Sequence, residues 1–205
     1  MIAIIDYDIG NIGAVENMLL HLGIKSKITN SSDDIANAAG LILPGNGAFD
    51  ACVKNLRASG LIPLIERRVF ESEIPILGIC VGAQMLGKGS EEGALPGLGW
   101  IDMAVRRLPE NTGIHVPHMG WGEVVSGQTD HPLIKDLESD ARYYFVHSYY
   151  MQVEDDSLSL LNSNYGINFC AAVAKKNVMG VQFHPEKSHR YGKRILNNFS
   201  KMLKV

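Results

Sequence analysis

Ile76-Leu77-Gly78-Ile79-Cys80-Val81-Gly82-Ala83-Gln84 decides how this 205-residue chain is read. Ile76 to Ile79 has the length and apolar character of a strand buried on both faces. It delivers Cys80 to a turn flanked by Gly78 and Gly82, two residues away on either side. That spacing suits a strand-to-helix nucleophile elbow, because the glycines leave room for a strained backbone and for close strand–helix packing. A helix starting near Val81 would aim its N-terminal dipole at the sulfur and offer backbone N–H groups to an oxyanion. The same residues also suit a buried packing cysteine, since free cysteines are often core residues. Cys52 and Cys170 have no comparable setting and are read as packing residues.

Upstream, Ile2 to Ile5 and Leu41 to Leu43 are further continuous apolar runs, and Lys25 to Thr29 is a fourth strand candidate. Helical stretches fall between them. One is capped by Asn11, carries Val15, Met18, Leu19 and Leu22 on one face, and stops at Gly23. A short one is capped by Ser31 or Ser32, and two more cover about 48–59 and 63–71. This alternation predicts an α/β fold with a mostly parallel central sheet flanked by helices. Beyond residue 100 the pattern changes to shorter strands with turns, over 100–125 and 142–184, which adds antiparallel strands in the second half. A last helix over 189–203 carries Ile195, Leu196, Phe199, Met202 and Leu203 as a stripe. No repeat or linker interrupts the chain, so residues 1–205 are expected to form a single domain.

The formal net charge of −3 gives no nucleic-acid footprint. No apolar run approaches the roughly 20 residues of a membrane helix. The opening residues reach Asp6 too early for a secretory signal, so a cytoplasmic protein is expected. Three cysteines without metal-type spacing argue against a disulfide framework.

Two more strand ends complete a chemical pattern. Val181-Gln182-Phe183-His184-Pro185-Glu186 places a histidine where strand ends of a parallel sheet collect. His-x-Glu spacing lets the carboxylate reach the far imidazole nitrogen and fix its tautomer, as in a nucleophile–base–orienter triad. Leu43-Pro44-Gly45-Asn46-Gly47-Ala48-Phe49 lacks the Lys-Ser/Thr of a P-loop and the full dinucleotide fingerprint. It can instead present a backbone N–H to a tetrahedral intermediate.

Pro-Gly-x-Gly, Gly-x-Cys-x-Gly and His-Pro-Glu, in that order, resemble the class I (triad) glutamine amidotransferases. Four further segments are similar to the glutaminase subunits of imidazole glycerol phosphate synthase. They are Asp6-Tyr7-Asp8-Ile9-Gly10-Asn11, Pro117-His118-Met119-Gly120-Trp121, Tyr144-Phe145-Val146-His147-Ser148-Tyr149 and Glu186-Lys187-Ser188. The resemblance implies a flavodoxin-like fold and glutamine as substrate. It implies a (β/α)8-barrel cyclase subunit as heterodimeric partner, which receives the ammonia and makes imidazole glycerol phosphate in histidine biosynthesis. It implies no metal and no organic cofactor. Carried over by position, Cys80 is the nucleophile, His184 the acid–base group and Glu186 its orienter. Backbone N–H groups at Val81, Asn46 and Gly47 form the oxyanion hole, Gln84, Ser148 and Tyr149 hold glutamine, and His118, Met119, Gly120 and Trp121 face the cyclase.

The chain departs from the family pattern at Asn46, usually valine, at Val81 and Ala83 in Cys-x-Gly-x-Gln, and at Gly122 after Trp121, usually asparagine. In the family the oxyanion loop is held to need a peptide flip when the partner binds its ligand. Asparagine tolerates φ > 0 far better than valine, so Asn46 predicts looser gating of basal activity. The same departures keep one alternative open, a paralogue that supplies ammonia to a cyclase-like partner for amidation of a surface-glycan sugar; the alternative of a different class is a non-catalytic partner-binding scaffold. The scaffold predicts loss of a triad member, and all three are present.

Overall fold

The computed structural model describes residues 1–9, 12–110, 113–127 and 130–203. The strands are β1 (Ile2–Ile5), β2 (Ser26–Thr29), β3 (Gly40–Leu43), β4 (Ile76–Ile79), β5 (Met103–Arg107), β6 (His118–Ser126), β7 (Arg142–His147), β8 (Tyr149–Val153), β9 (Ser159–Asn164), β10 (Asn168–Lys175) and β11 (Val178–Val181). They form one mixed sheet in the order β2-β1-β3-β4-β11-β10-β9-β6-β7, with β5 and β8 branching from β10. The first five in that order are parallel, and β1, β3, β4 and β11 are buried along their whole length. That is why they read as continuous apolar runs rather than as alternations. The remaining pairings are antiparallel, as the change of pattern after residue 100 predicts.

Helices cover the parallel part: α1 (Gly13–His21), α2 (Ser32–Ala36), α3 (Phe49–Ala58), α4 (Ile62–Glu66), α5 (Val81–Gln84) and α6 (His189–Lys201). The cap assigned to Asn11 lies outside the described residues; Ile12 occupies the N-cap position of α1. Gly23 ends that helix region at φ +71°, where a side chain would be strained. Ser31, not Ser32, caps α2 by accepting the Asp34 N–H. The helix expected over 63–71 divides into α4 and a π-helical turn at Arg67–Glu71. α6 buries Tyr191, Ile195, Leu196 and Phe199, three of them members of the expected stripe.

The register of β4 on β11 positions the chemistry. Ile79 pairs with Val181, and the Cys80 N–H donates to the Val181 carbonyl at 2.8 Å. The residues after β4 and after β11 therefore leave the sheet side by side.

Candidate active site

Cys80 sits at φ +54°, ψ −115°, a conformation that costs a non-glycine residue on the order of 1–3 kcal/mol. Backbone bonds on both sides over-determine it. Its carbonyl accepts the Ala83 and Gln84 N–H groups at 3.0 and 3.1 Å, opposite the bond to Val181. The flanking glycines are sterically required. A Cβ on Gly78 would lie 2.7 Å from Ala83 backbone atoms, and one on Gly82 only 1.9 Å from the Leu43 carbonyl oxygen. A Cβ on Gly45 would lie 2.0 Å from the Gly82 nitrogen, so the elbow and the Pro44-Gly45-Asn46-Gly47 loop touch backbone to backbone. One expectation is corrected. α5 is a single turn, too short for a macrodipole, and what it can offer a reacting group is the N–H groups of its first residues.

His184 arrives from the end of β11. Its Nδ1–H donates to Glu186 Oε1 at 2.7 Å, and both side chains are more than nine-tenths buried. Nε2 is left for Cys80, which lines the same pocket. Burial pushes the ring down, but the bonds to Cys80 and Glu186 outweigh it and carry His184 up to about 10. Its backbone is pinned as well: the His184 N–H donates to the Tyr144 carbonyl at 2.9 Å, and Ser188 Oγ donates to the His184 carbonyl at 2.7 Å. Glu186 Oε2 is buried without a partner among the described residues.

A pocket of about 310 Å³ opens over the sulfur. Asn46, Gly47, Cys80, Val81, Gln84, Ser148, Tyr149 and His184 all line it, so nucleophile, base, loop and expected glutamine contacts share one cavity. Behind the loop, the Tyr7 hydroxyl donates to the Pro44 carbonyl and Cys52 Sγ donates to the Asn46 carbonyl at 3.5 Å. The left-handed residue of the loop is Gly47, at φ +99°; Asn46 is outside that region. Gln84 spans the wall of the pocket, its Nε2 donating to the Tyr149 carbonyl at 3.0 Å and to Gln182 Oε1 at 3.1 Å.

Several pocket contacts escape the sequence reading. Gln182 is fully buried, and its Nε2 and the Val146 carbonyl both lie 3.9 Å from Cys80 Sγ. The signal for it was an amide on an apolar strand, two residues before the base. Cys52 and Tyr7 pack as core residues yet also hold the loop. Among the residues assigned to a partner surface, Met119 and Trp121 are exposed, 63% and 44%, with Gly120 between them. Together with Val125 they line a larger groove of about 1130 Å³ along β6, separate from the chemistry. His118 instead points inward and is 3% exposed, because alternation along β6 puts it on the opposite face from Met119.

The family model for class-I glutamine amidotransferases matches residues 3–203. Imidazole glycerol phosphate synthase subunit HisH 2 of Pseudomonas aeruginosa is 50% identical, over 99% of this chain and 100% of that protein. Subunit HisH of Bdellovibrio bacteriovorus is 46% identical over 98% and 100%, and subunit HisH 2 of Methanococcus maripaludis 43% identical over 98% and 99%. Among solved structures, PurLQS of Thermotoga maritima superposes with a TM-score of 0.76 at 20% identity, covering 99% of this chain and 98% of that one, a likeness of fold. The family model spans nearly the whole chain and the relatives match it end to end, and the chain belongs to the class-I glutamine amidotransferase family.

Proposed function

We propose that this chain is the glutaminase subunit of an imidazole glycerol phosphate synthase, working in the cytoplasm as a heterodimer with a (β/α)8-barrel cyclase subunit. The observation that carries the chemistry is Cys80, held at the elbow in one pocket with His184 and Gln84, with Glu186 paired to His184. His184 takes the thiol proton as Cys80 Sγ attacks the side-chain carbonyl carbon of glutamine, and the C=O electrons move to oxygen, facing the Val81 and Asn46-Gly47 backbone. The intermediate collapses as His184 passes its proton to the departing nitrogen, releasing ammonia and leaving a thioester. His184 then takes a proton from water, which attacks the thioester and frees glutamate and the thiol. Glu186 keeps Nδ1 protonated and Nε2 turned to the sulfur throughout. Exposed Met119 and Trp121 mark the surface toward the cyclase.

Two of the relatives above carry the numeral 2 in their names, which favours keeping one second reading: a paralogous glutaminase serving a cyclase-like partner in glycan amidation. One experiment tests both. The chain is mixed with a histidine-pathway cyclase subunit, glutamine and the phosphoribulosyl-formimino substrate of that subunit. Imidazole glycerol phosphate formation that Cys80→Ser abolishes supports the first reading. Alkylation of Cys80 by a glutamine-analogue electrophile, with no product from that cyclase, supports the second. A wild-type chain that the analogue does not label refutes both.

A further inference from the structure

Two buried histidines outside the triad form a linked pair beside the pocket. His147 Nδ1 lies 2.9 Å from the Tyr149 carbonyl. A carbonyl only accepts, so Nδ1 carries the hydrogen and Nε2 is bare. His118 Nδ1 lies 3.3 Å from that bare Nε2, which makes His118 the donor. Both tautomers are thereby fixed. Burial holds both rings neutral at pH 7, pushing His118 down to about 4 and, with His118 adding to it, His147 down to about 3. His118 itself is clamped between Phe145, centroids 4.9 Å apart, and Tyr165, 3.9 Å apart, with both ring pairs near parallel. The Tyr149 carbonyl at the far end of the chain also accepts Gln84 Nε2. His147, Tyr149 and Gln84 line the pocket over Cys80, whereas His118 is buried outside its lining.

We infer that His118 is a positioning residue for glutamine: its Nδ1–H fixes the His147 ring, which in turn holds the Tyr149 carbonyl beside Gln84 at the pocket wall. The inference rests on reading the cavity over Cys80 as the glutamine site. Without the His118 donor, His147 keeps its bond to Tyr149 but has an unpaired buried nitrogen, and its ring is free to tilt away from the wall. None of His118, His147, Tyr149 and Gln84 is bonded to the reacting sulfur, so recognition of glutamine should suffer more than the reactivity of the thiol.

The test compares the full-length wild type with His118→Phe, which preserves the aromatic stack without a donor, and His118→Gln, which restores an amide donor. Two reagents report on Cys80: a glutamine-analogue electrophile and iodoacetamide, which needs no glutamine site. His118→Phe should lower the second-order rate constant for the analogue about tenfold and leave that for iodoacetamide unchanged, and His118→Gln should recover most of the loss. His118→Met replaces the phenylalanine variant should that one fail to fold. Wild-type discrimination in the donor-less variant, or equal loss with both reagents and no rescue by glutamine at 118, overturns the inference alone. Failure of the analogue to label the wild-type chain, with iodoacetamide reacting, overturns the glutaminase reading and this inference with it.

Discussion

Gly82→Ala is the sharpest test of how the site is assembled. The added methyl carbon would lie 1.9 Å from the Leu43 carbonyl oxygen and 2.9 Å from the Leu43 and Pro44 carbonyl carbons. Ordinary non-bonded contact is about 3.5 Å, so the two backbones must separate by more than about 1 Å. β3 cannot yield as a whole, because it is fully buried and hydrogen-bonded between β1 and β4. The give must come at its end, where Pro44 to Gly47 borders the pocket. Gly82 is not in the left-handed region, so the effect is steric rather than conformational. Overpacking of this kind costs about 1–3 kcal/mol of stability, and a reacting geometry displaced by about 1 Å costs on the order of a hundredfold in rate. Glutamate release should be measured with the proposed cyclase partner present, alongside iodoacetamide alkylation of Cys80 and thermal unfolding. The expected result is kcat/KM down about a hundredfold in a folded protein whose Cys80 still alkylates. Gly13→Ala, with nothing within 4 Å of its added carbon, serves as the neutral control. If Gly82→Ala turns over within about threefold of wild type, the loop does not contribute to the site from where the structure places it.

Glu186→Gln should lower glutamate release on the order of 10²–10⁴-fold, because it removes the acceptor that holds the His184 tautomer; a rate near wild type would deny Glu186 that role. Asn46→Val should lower basal glutamate release by the isolated chain roughly fivefold, about 1 kcal/mol, as the loop passes through φ > 0 at position 46. Equal rates would mean that the left-handed demand stays at Gly47, where the structure has it. Thermal unfolding followed against pH should show an acid limb from His118. Its folded value lies below its unfolded one, so its contribution is present above about pH 6.5 and is lost as pH falls toward about 4. His118→Phe should flatten that limb, and an unchanged limb would mean that the titration arises elsewhere.

Much of this site was legible because its members sit at strand ends, where sequence signals are strongest. Apolar runs before Cys80, His184 and Pro44 announced buried parallel strands, and glycine spacing announced the elbow. The extent of α5 was not legible: the local pattern around Val81 permits a long helix, and only packing limits it to one turn. Gln182 and the Tyr7–Cys52 support were hidden for another reason. Gln182 and Tyr7 reach partners far away in the chain, and nothing local distinguishes a buried amide or thiol that packs from one that also holds a carbonyl, as Cys52 does six residues from Asn46. The inward turn of His118 was within reach, since alternation along β6 separates it from Met119 and Trp121.

The ladder between β4 and β11 has a consequence for how this chain can change over evolutionary time. Because Ile79 and Val181 are partners, the separation of nucleophile and base is indexed by strand register, which shifts in whole residues and turns every side chain over at each odd step. The long stretch of chain between the two strands can gain or lose loop residues without moving the sulfur relative to the imidazole. A single deletion between Val181 and Glu186 has no such freedom. Length variation among functional relatives should therefore concentrate between β4 and β11 and be absent from the five residues that follow Val181.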